Sequence, residues 1–210
     1  MVKTYTSAID RLLGLPAVFT GRDLTLKFQW SAATASAYLA QWRRAAHVRA
    51  LGGHSDVFMN LVVQRNPDLE SVLRRAFPEA VKVGADVLRE AGWTTQIMQR
   101  PEVAVRSGGP KYKVIDFTLS PRAPGWFARI KPGLEAPTQG LKRLRPAWAL
   151  ADMIDRCIDR RIKQAWLLAP DDLDLEAARE DAEMGIALAA FGLAPDALSD
   201  DAYTDLFERV

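Results

Sequence analysis

Residues 31–64 read SAATASAYLAQWRRAAHVRALGGHSDVFMNLVVQ, and they divide into a helical half and an extended half. Ser31 is a helix-capping residue type. Behind it Ala35, Tyr38 or Leu39, and Trp42 recur at the spacing that lays apolar side chains along one stripe of a helix. Thr34, Ala37, Gln41 and Arg44 fall roughly opposite, so one face packs and the other meets solvent. HVRAL (47–51) and DVFMNLVVQ (56–64) follow as two short extended segments. They are joined through Gly52, Gly53, His54 and Ser55, a composition that suits a hairpin turn.

Upstream, Thr20 in VFTGRDLTLKF (18–28) can cap another helix, with Asp23 in the capping-box position three residues on. Ile9, Leu12 and Leu13 predict a short first helix that the Gly14, Leu15, Pro16 stretch stops. Helix, helix, helix and hairpin is the order of a winged helix-turn-helix, expected over residues 1–66.

From Pro67 the character changes to a mixed α/β domain, expected over residues 67–210. SVLRRAF (71–77) and KVGADVLREAGW (82–93) read as helices, and QRPEVAVRSGGPKYKVIDFTLSPR (99–122) as strands around a Gly-Gly turn. WFARI (126–130) suggests a further strand, and IKPGLEAPTQGLKRLRPA (130–147) an exposed connection. PAWALADMIDRCIDRRIKQAWLLA (146–169) predicts one amphipathic helix or two, DLEAAREDAEMGIALAAFGL (174–193) another, and a short helix ends the chain. The fold class expected is therefore α+β.

With 49% hydrophobic and 26% charged residues in 210, the chain has the composition of an ordinary globular protein. The net charge of +2 hides a strong asymmetry. Residues 1–66 hold eight Lys and Arg against three Asp and Glu, and residues 171–210 hold two against twelve. A basic end suits a phosphate backbone and an acidic end a basic partner. Cys157 is the only cysteine, which excludes an internal disulfide and fits a reducing cytoplasm. No apolar run reaches the length of a membrane span.

A winged helix reads double-stranded DNA with its third helix in the major groove while the wing meets phosphate or the minor groove. The small residues Ala32, Ala33, Thr34, Ser36 and Ala37 would let that helix approach closely, and Thr34, Ser36 and Gln41 could reach base edges. Arg22, Lys27, Arg43, Arg44, Arg49 and His54, with Ser55 beside it, would supply polar and cationic contacts around it. Inverted promoter repeats would then imply two copies on DNA, by dimerisation or by adjacent binding.

Catalytic patterns are missing: there is no GxSxG, no phosphate-binding GxxxxGKS/T loop and no GxGxxG after a strand. His47 and His54 do not stand at metal-ligand spacing. Glu79, Asp86, Glu102 and Asp116 are acids that a metal-dependent nuclease could use, but no Glu-x-Lys strand motif follows Asp116. Cys157, in MIDRCIDRR, reads as a small core residue. The sequence thus implies no enzyme activity, cofactor or metal.

KVGADVLREAGWTTQIMQRPEVAV (82–105) and LRPAWALADMIDRC (144–157) resemble the abortive-infection AbiEi family of type IV toxin–antitoxin antitoxins and related regulators. The resemblance implies a winged helix-turn-helix followed by an α/β domain, operator binding with repression of the protein's own operon, and antagonism of a cognate nucleotidyltransferase-like toxin. The alternatives are a stand-alone winged-helix regulator and a toxin-binding protein without operator binding. For residues, the resemblance carries over Thr34, Ser36, Gln41, Arg44 and the wing around His54. The stretch 131–145 matches no family feature.

Overall fold

The computed structural model describes residues 7–135, 140–159 and 166–209, and its backbone is α+β. It divides into two compact units, one of Met1–Glu79 with Gly108–Ile115, the other of Ala80–Ser107 with Asp116–Val210. In chain order the first unit holds α1 (Ala8–Leu13), β1 (Val18–Thr20), α2 (Gly21–Phe28), α3 (Ala32–Arg44), β2 (Val48–Ala50), β3 (Gly52–Gly53), β4 (Val57–Asn60) and α4 (Leu69–Ala76). The chain enters the second unit with β5 (Val81–Val83), α5 (Ala85–Glu90) and β6 (Glu102–Arg106), and rejoins the first as β7 (Lys113–Val114). It then completes the second unit with β8 (Thr118–Arg122), α6 (Pro124–Arg129), β9 (Leu134–Glu135), β10 (Lys142–Leu144), α7 (Pro146–Ile158), α8 (Leu175–Glu180), α9 (Met184–Phe191) and α10 (Asp200–Glu208).

In the first unit, local residues set the helix starts. The Thr20 hydroxyl accepts the Asp23 amide, and the Asp23 carboxylate accepts the Thr20 amide at 2.7 Å, closing the capping box that satisfies the first orphan N–H groups of α2. Ser31 caps α3 through the Thr34 amide at 3.1 Å. Between these helices lie three residues, with Gln29 in the left-handed region (φ 53°) turning the chain. The end of α3 is a Schellman arrangement: His47 N–H donates to Trp42 C=O and Ala46 N–H to Arg43 C=O, with Ala46 at φ 54° in the place glycine usually takes. The chain therefore leaves α3 already aimed into β2.

Leu12, Phe19, Leu24, Ala35, Leu39, Trp42, Val48 and Phe58 form the core of this unit. Ile9 and Leu13, predicted to pack with Leu12, are instead exposed, so α1 contributes one fully buried side chain. Asn60, wholly buried on β4, donates from Nδ2 to the carbonyl of Leu12 at 2.7 Å and so ties the end of α1 to the sheet. That sheet is antiparallel in the order β1-β4-β2, and its first strand was not foreseen from the sequence. The unit also runs past residue 66, because α4 packs on β4 and buries Val72 and Leu73.

The second unit is built on a five-stranded mixed sheet, order β8-β6-β5-β10-β9, in which β6 with β8 and β5 with β10 are parallel pairs. Three sequence expectations change here. WFARI is not a strand: Pro124 starts helix α6, and Trp126 points into the core. The first residues of KVGADVLREAGW are strand β5, with the helix confined to α5. The strands around the Gly-Gly pair at 108–109 do not form a hairpin with each other, since β6 and β8 run parallel.

The stretch 130–147 is likewise not a plain exposed connection. It supplies β9, β10 and the buried Leu141 and Leu144, while residues 136–139 lie outside the described residues. Gly133 lies so close to Trp148 that a Cβ would overlap the indole, which seats this stretch against α7. Residues 147–154 of α7 are all buried, so its first two turns are enclosed on every side. Residues 160–165, predicted as helix, also lie outside the described residues. The segment predicted as one helix over 174–193 is broken into α8 and α9 at Asp181.

Candidate nucleic-acid interface

Helix α3 buries Ala35, Leu39 and Trp42 and exposes Ala33, Thr34, Ser36, Ala37, Gln41, Arg43 and Arg44. Its packed side rests on an aromatic cluster. Trp30 stacks on Tyr38 at 4.2 Å and on Phe28 at 4.6 Å, and Tyr38 lies tilted 5.6 Å from Trp42. Arg11 closes the cluster, with its guanidinium 5.0 Å over the Tyr38 ring and Nη1 donating to the Tyr38 hydroxyl at 3.0 Å. This stack across the turn between α2 and α3 holds the two helices together.

The exposed side of α3 is lean at its amino-terminal end and cationic at its carboxy-terminal end. Arg22, Arg43 and Arg44 are exposed, and their guanidinium groups make no hydrogen bond or ion pair among the described residues. From residue 31 to residue 55 the sequence holds three arginines and two histidines but no Asp or Glu. The nearest acids in sequence are engaged. Asp23 serves the capping box and lies 3.7 Å from Arg75, and Asp56 accepts the Gly21 amide at 3.1 Å. Such a surface attracts anions without a carboxylate to oppose them.

The other predicted residues have more specific surroundings. Lys27 is exposed, yet its ammonium donates to the Gly14 carbonyl at the end of α1. The Thr34 hydroxyl shares a hydrogen bond with Ser31 Oγ at 2.9 Å. Arg49, exposed on β2, rests one guanidinium nitrogen 3.7 Å from the Met59 sulfur. Ser55 is half-buried and folded onto Val57, accepting its amide at 3.0 Å and donating to its carbonyl. His54 stands exposed at the hairpin tip with φ 62°.

The hairpin differs from its sequence reading in one respect. The residue with positive φ at its tip is His54, and neither Gly52 nor Gly53 has one. The two glycines instead pair with β7 in the register Gly52↔Val114 and Gly53↔Lys113. A Cβ on Gly52 would collide with the Lys113 carbonyl, and one on Gly53 would lie 3.2 Å from the Lys113 Cβ. Lys111 and Lys113 therefore belong to the same unit as α3, a placement invisible in the sequence because the pairing spans about sixty residues.

The four acids that a nuclease could use are held in different ways. Glu79 and Asp116 are exposed, Asp86 is buried with Oδ1 3.4 Å from Arg89, and Glu102 is buried between Arg156 at 2.6 Å and Arg122 at 3.8 Å. Asp152, 1% exposed on α7, accepts Arg122 Nη2 at 2.8 Å and Trp126 Nε1 at 2.6 Å. Arg122 also donates to Ser120 and stacks over Trp126. Two arginines thus balance two carboxylates in a network sealed inside the second unit, which suits it to hold β6, β8, α6 and α7 together. Among the described residues, no three His, Cys, Asp or Glu side chains are grouped to hold a metal ion. No described helix is long and apolar enough to cross a membrane.

No family model and no curated protein matches the chain. Among solved structures, it is similar to the crystal structure of the RV2827C protein from Mycobacterium tuberculosis. The match covers 96% of this chain and 78% of the other, at 15% identity and a TM-score of 0.50. At that identity the likeness speaks for a shared fold, α and β elements in a common arrangement, and for nothing finer.

Proposed function

We propose that this chain is a DNA-binding antitoxin of the type IV kind that represses its own operon, with a winged helix-turn-helix in its amino-terminal unit. One observation carries the reading. Helix α2, a three-residue turn and α3 are followed at once by a hairpin, and the exposed side of α3 is small, cationic and without carboxylates. A helix of 13 residues is about 20 Å long and about 10 Å wide, which a major groove about 12 Å across admits. In this reading Ala33 and Ala37 allow close approach, and Thr34, Ser36 and Gln41 face the bases. Arg22, Arg43, Arg44, Arg49 and His54 meet phosphate, while Lys27, bonded to Gly14, and Ser55, bonded to Val57, hold the surface in shape.

The remaining unit, in the reading drawn from the resemblance of residues 82–105 and 144–157 to AbiEi antitoxins, antagonises a nucleotidyltransferase-like toxin without enzymatic activity of its own. The protein works in the cytoplasm, with two copies on an inverted repeat. A second reading, a toxin-binding protein without operator binding, is favoured by the acidic carboxy-terminal helices, where residues 171–210 carry twelve acids against two bases.

The test is a mobility shift with the DNA upstream of the protein's own gene. The wild type is expected to give a complex that weakens steeply with salt. Arg44→Ala should weaken binding to every sequence, whereas Gln41→Ala should change which sequence is preferred. No shift at low salt would remove operator binding and leave the second reading, which co-expression with the adjacent toxin gene then probes.

A further inference from the structure

We infer that the DNA-contacting surface does not end with the amino-terminal stretch: residues 108–115, reached only after two strands of the second unit, form an added strand of the wing whose Lys111 and Lys113 bind the phosphate backbone. This rests on the proposed winged helix and extends it to residues outside its expected sequence limits.

The pairing is built for close approach. β7 lies antiparallel to β3, and the glycine pair on β3 leaves the space that the Lys113 backbone occupies. Opposite it, Tyr112 meets the edge of Phe77, just after α4, at 5.6 Å, which fastens the segment to the unit that carries α3. Exposure alternates along the segment as a strand requires. Lys111, Lys113 and Ile115 are exposed, and Tyr112 and Val114 are half-buried. The two lysines therefore project from one face.

Neither lysine's ammonium makes a hydrogen bond or ion pair among the described residues. From Arg106 to Ile115 the chain has no acid, so the segment adds two cations and no opposing charge to the first unit. That unit then carries twelve Lys and Arg against six Asp and Glu, while the second carries sixteen against twenty. The chain of the acidic unit thus lends a basic strand to the basic one. A flexible, strongly hydrated ammonium pair on a wing edge is suited to backbone phosphates and not to base edges.

The experiment measures binding of the full chain to its promoter DNA and to a scrambled duplex, by fluorescence anisotropy, from about 50 to about 200 mM salt. Lys111→Ala/Lys113→Ala is expected to weaken both complexes by a similar factor and to reduce the slope of log K against log salt by about 2. Lys111→Arg/Lys113→Arg should restore both. Gly52→Ala, which dislodges β7 while keeping both lysines, should reproduce the loss. If the double alanine variant keeps the wild-type affinity and slope while Arg43→Ala/Arg44→Ala loses binding, the inference is wrong and the winged-helix reading stands. If wild-type protein binds neither duplex at about 50 mM salt, the winged-helix reading fails and this one with it.

Discussion

Cys157 sits on α7 with its side chain half-buried against the core of the second unit. Burial, with a smaller contribution from Asp152 and against the pull of Arg156, pushes its thiol up to about 11 from 9.0. The neutral thiol is the form the fold favours. Its contribution to stability is intact below pH 9 and is lost as pH rises from there toward 11. At pH 8 the folded protein should hold about a hundredfold less thiolate than the unfolded chain, so labelling by a disulfide reagent should be slower by at least that factor until denaturant is added. Labelling rates within a few-fold of each other would contradict this environment. The reading of Cys157 as a packed side chain needed only its helical neighbours. Gly52 and Gly53 show the opposite case: their composition suggested a turn, but the conformational demand falls on His54, and the glycines answer to a strand sixty residues away.

At the scale of elements, starts and stops were legible wherever one or two neighbouring side chains decide them. Thr20 with Asp23 and Ser31 with Thr34 each close a cap within four residues. What the sequence did not reveal were elements whose identity depends on distant partners. β1 is three residues long, too short to show alternation, and exists because Val18 to Thr20 pair with β4. Residues 131–145 look like connection by their Pro, Gly and Lys content, yet β10 is held between β5 and β9. WFARI has strand-forming residues, but Trp126 follows Pro124 in a helix where its indole reaches Asp152. The same network yields a prediction about these elements. Arg122→Met removes a cation from beside Asp152 and Glu102, leaving the Asp152 carboxylate, among the described residues, with the indole N–H of Trp126 as its side-chain donor. The expected loss, read from urea unfolding, is about 3–5 kcal/mol. Arg122→Met/Asp152→Leu removes both charges and should recover a large part of it. A single variant within about 1 kcal/mol of wild type would mean the network contributes little.

Over the whole molecule, the expected division at residue 66 separates sequence characters, whereas the compact units divide after Glu79 and again on either side of residues 108–115. The chain therefore passes between the units three times, and a cut at 66 removes a part of the first unit. Val72 and Leu73 on α4 are fully buried and Phe77 is 6% exposed. At about 1.5–3 kcal/mol for each buried apolar side chain, losing these three forfeits roughly 5–9 kcal/mol. That is comparable with the entire stability of a typical small domain, about 5–15 kcal/mol. A fragment of residues 1–66 should therefore show no cooperative thermal transition by circular dichroism. A fragment of residues 1–79, which keeps α4 and lacks only β7, should melt cooperatively, because β7 pairs with two residues at the hairpin edge and contributes no side chain to the core around Trp42. Equal melting of the two fragments would show that α4 is dispensable and that the boundary lies where composition changes. A cooperative melt in the longer fragment alone would make residues 1–79 the smallest piece in which the lean face of α3 and its arginines can be tested on DNA apart from the acidic unit.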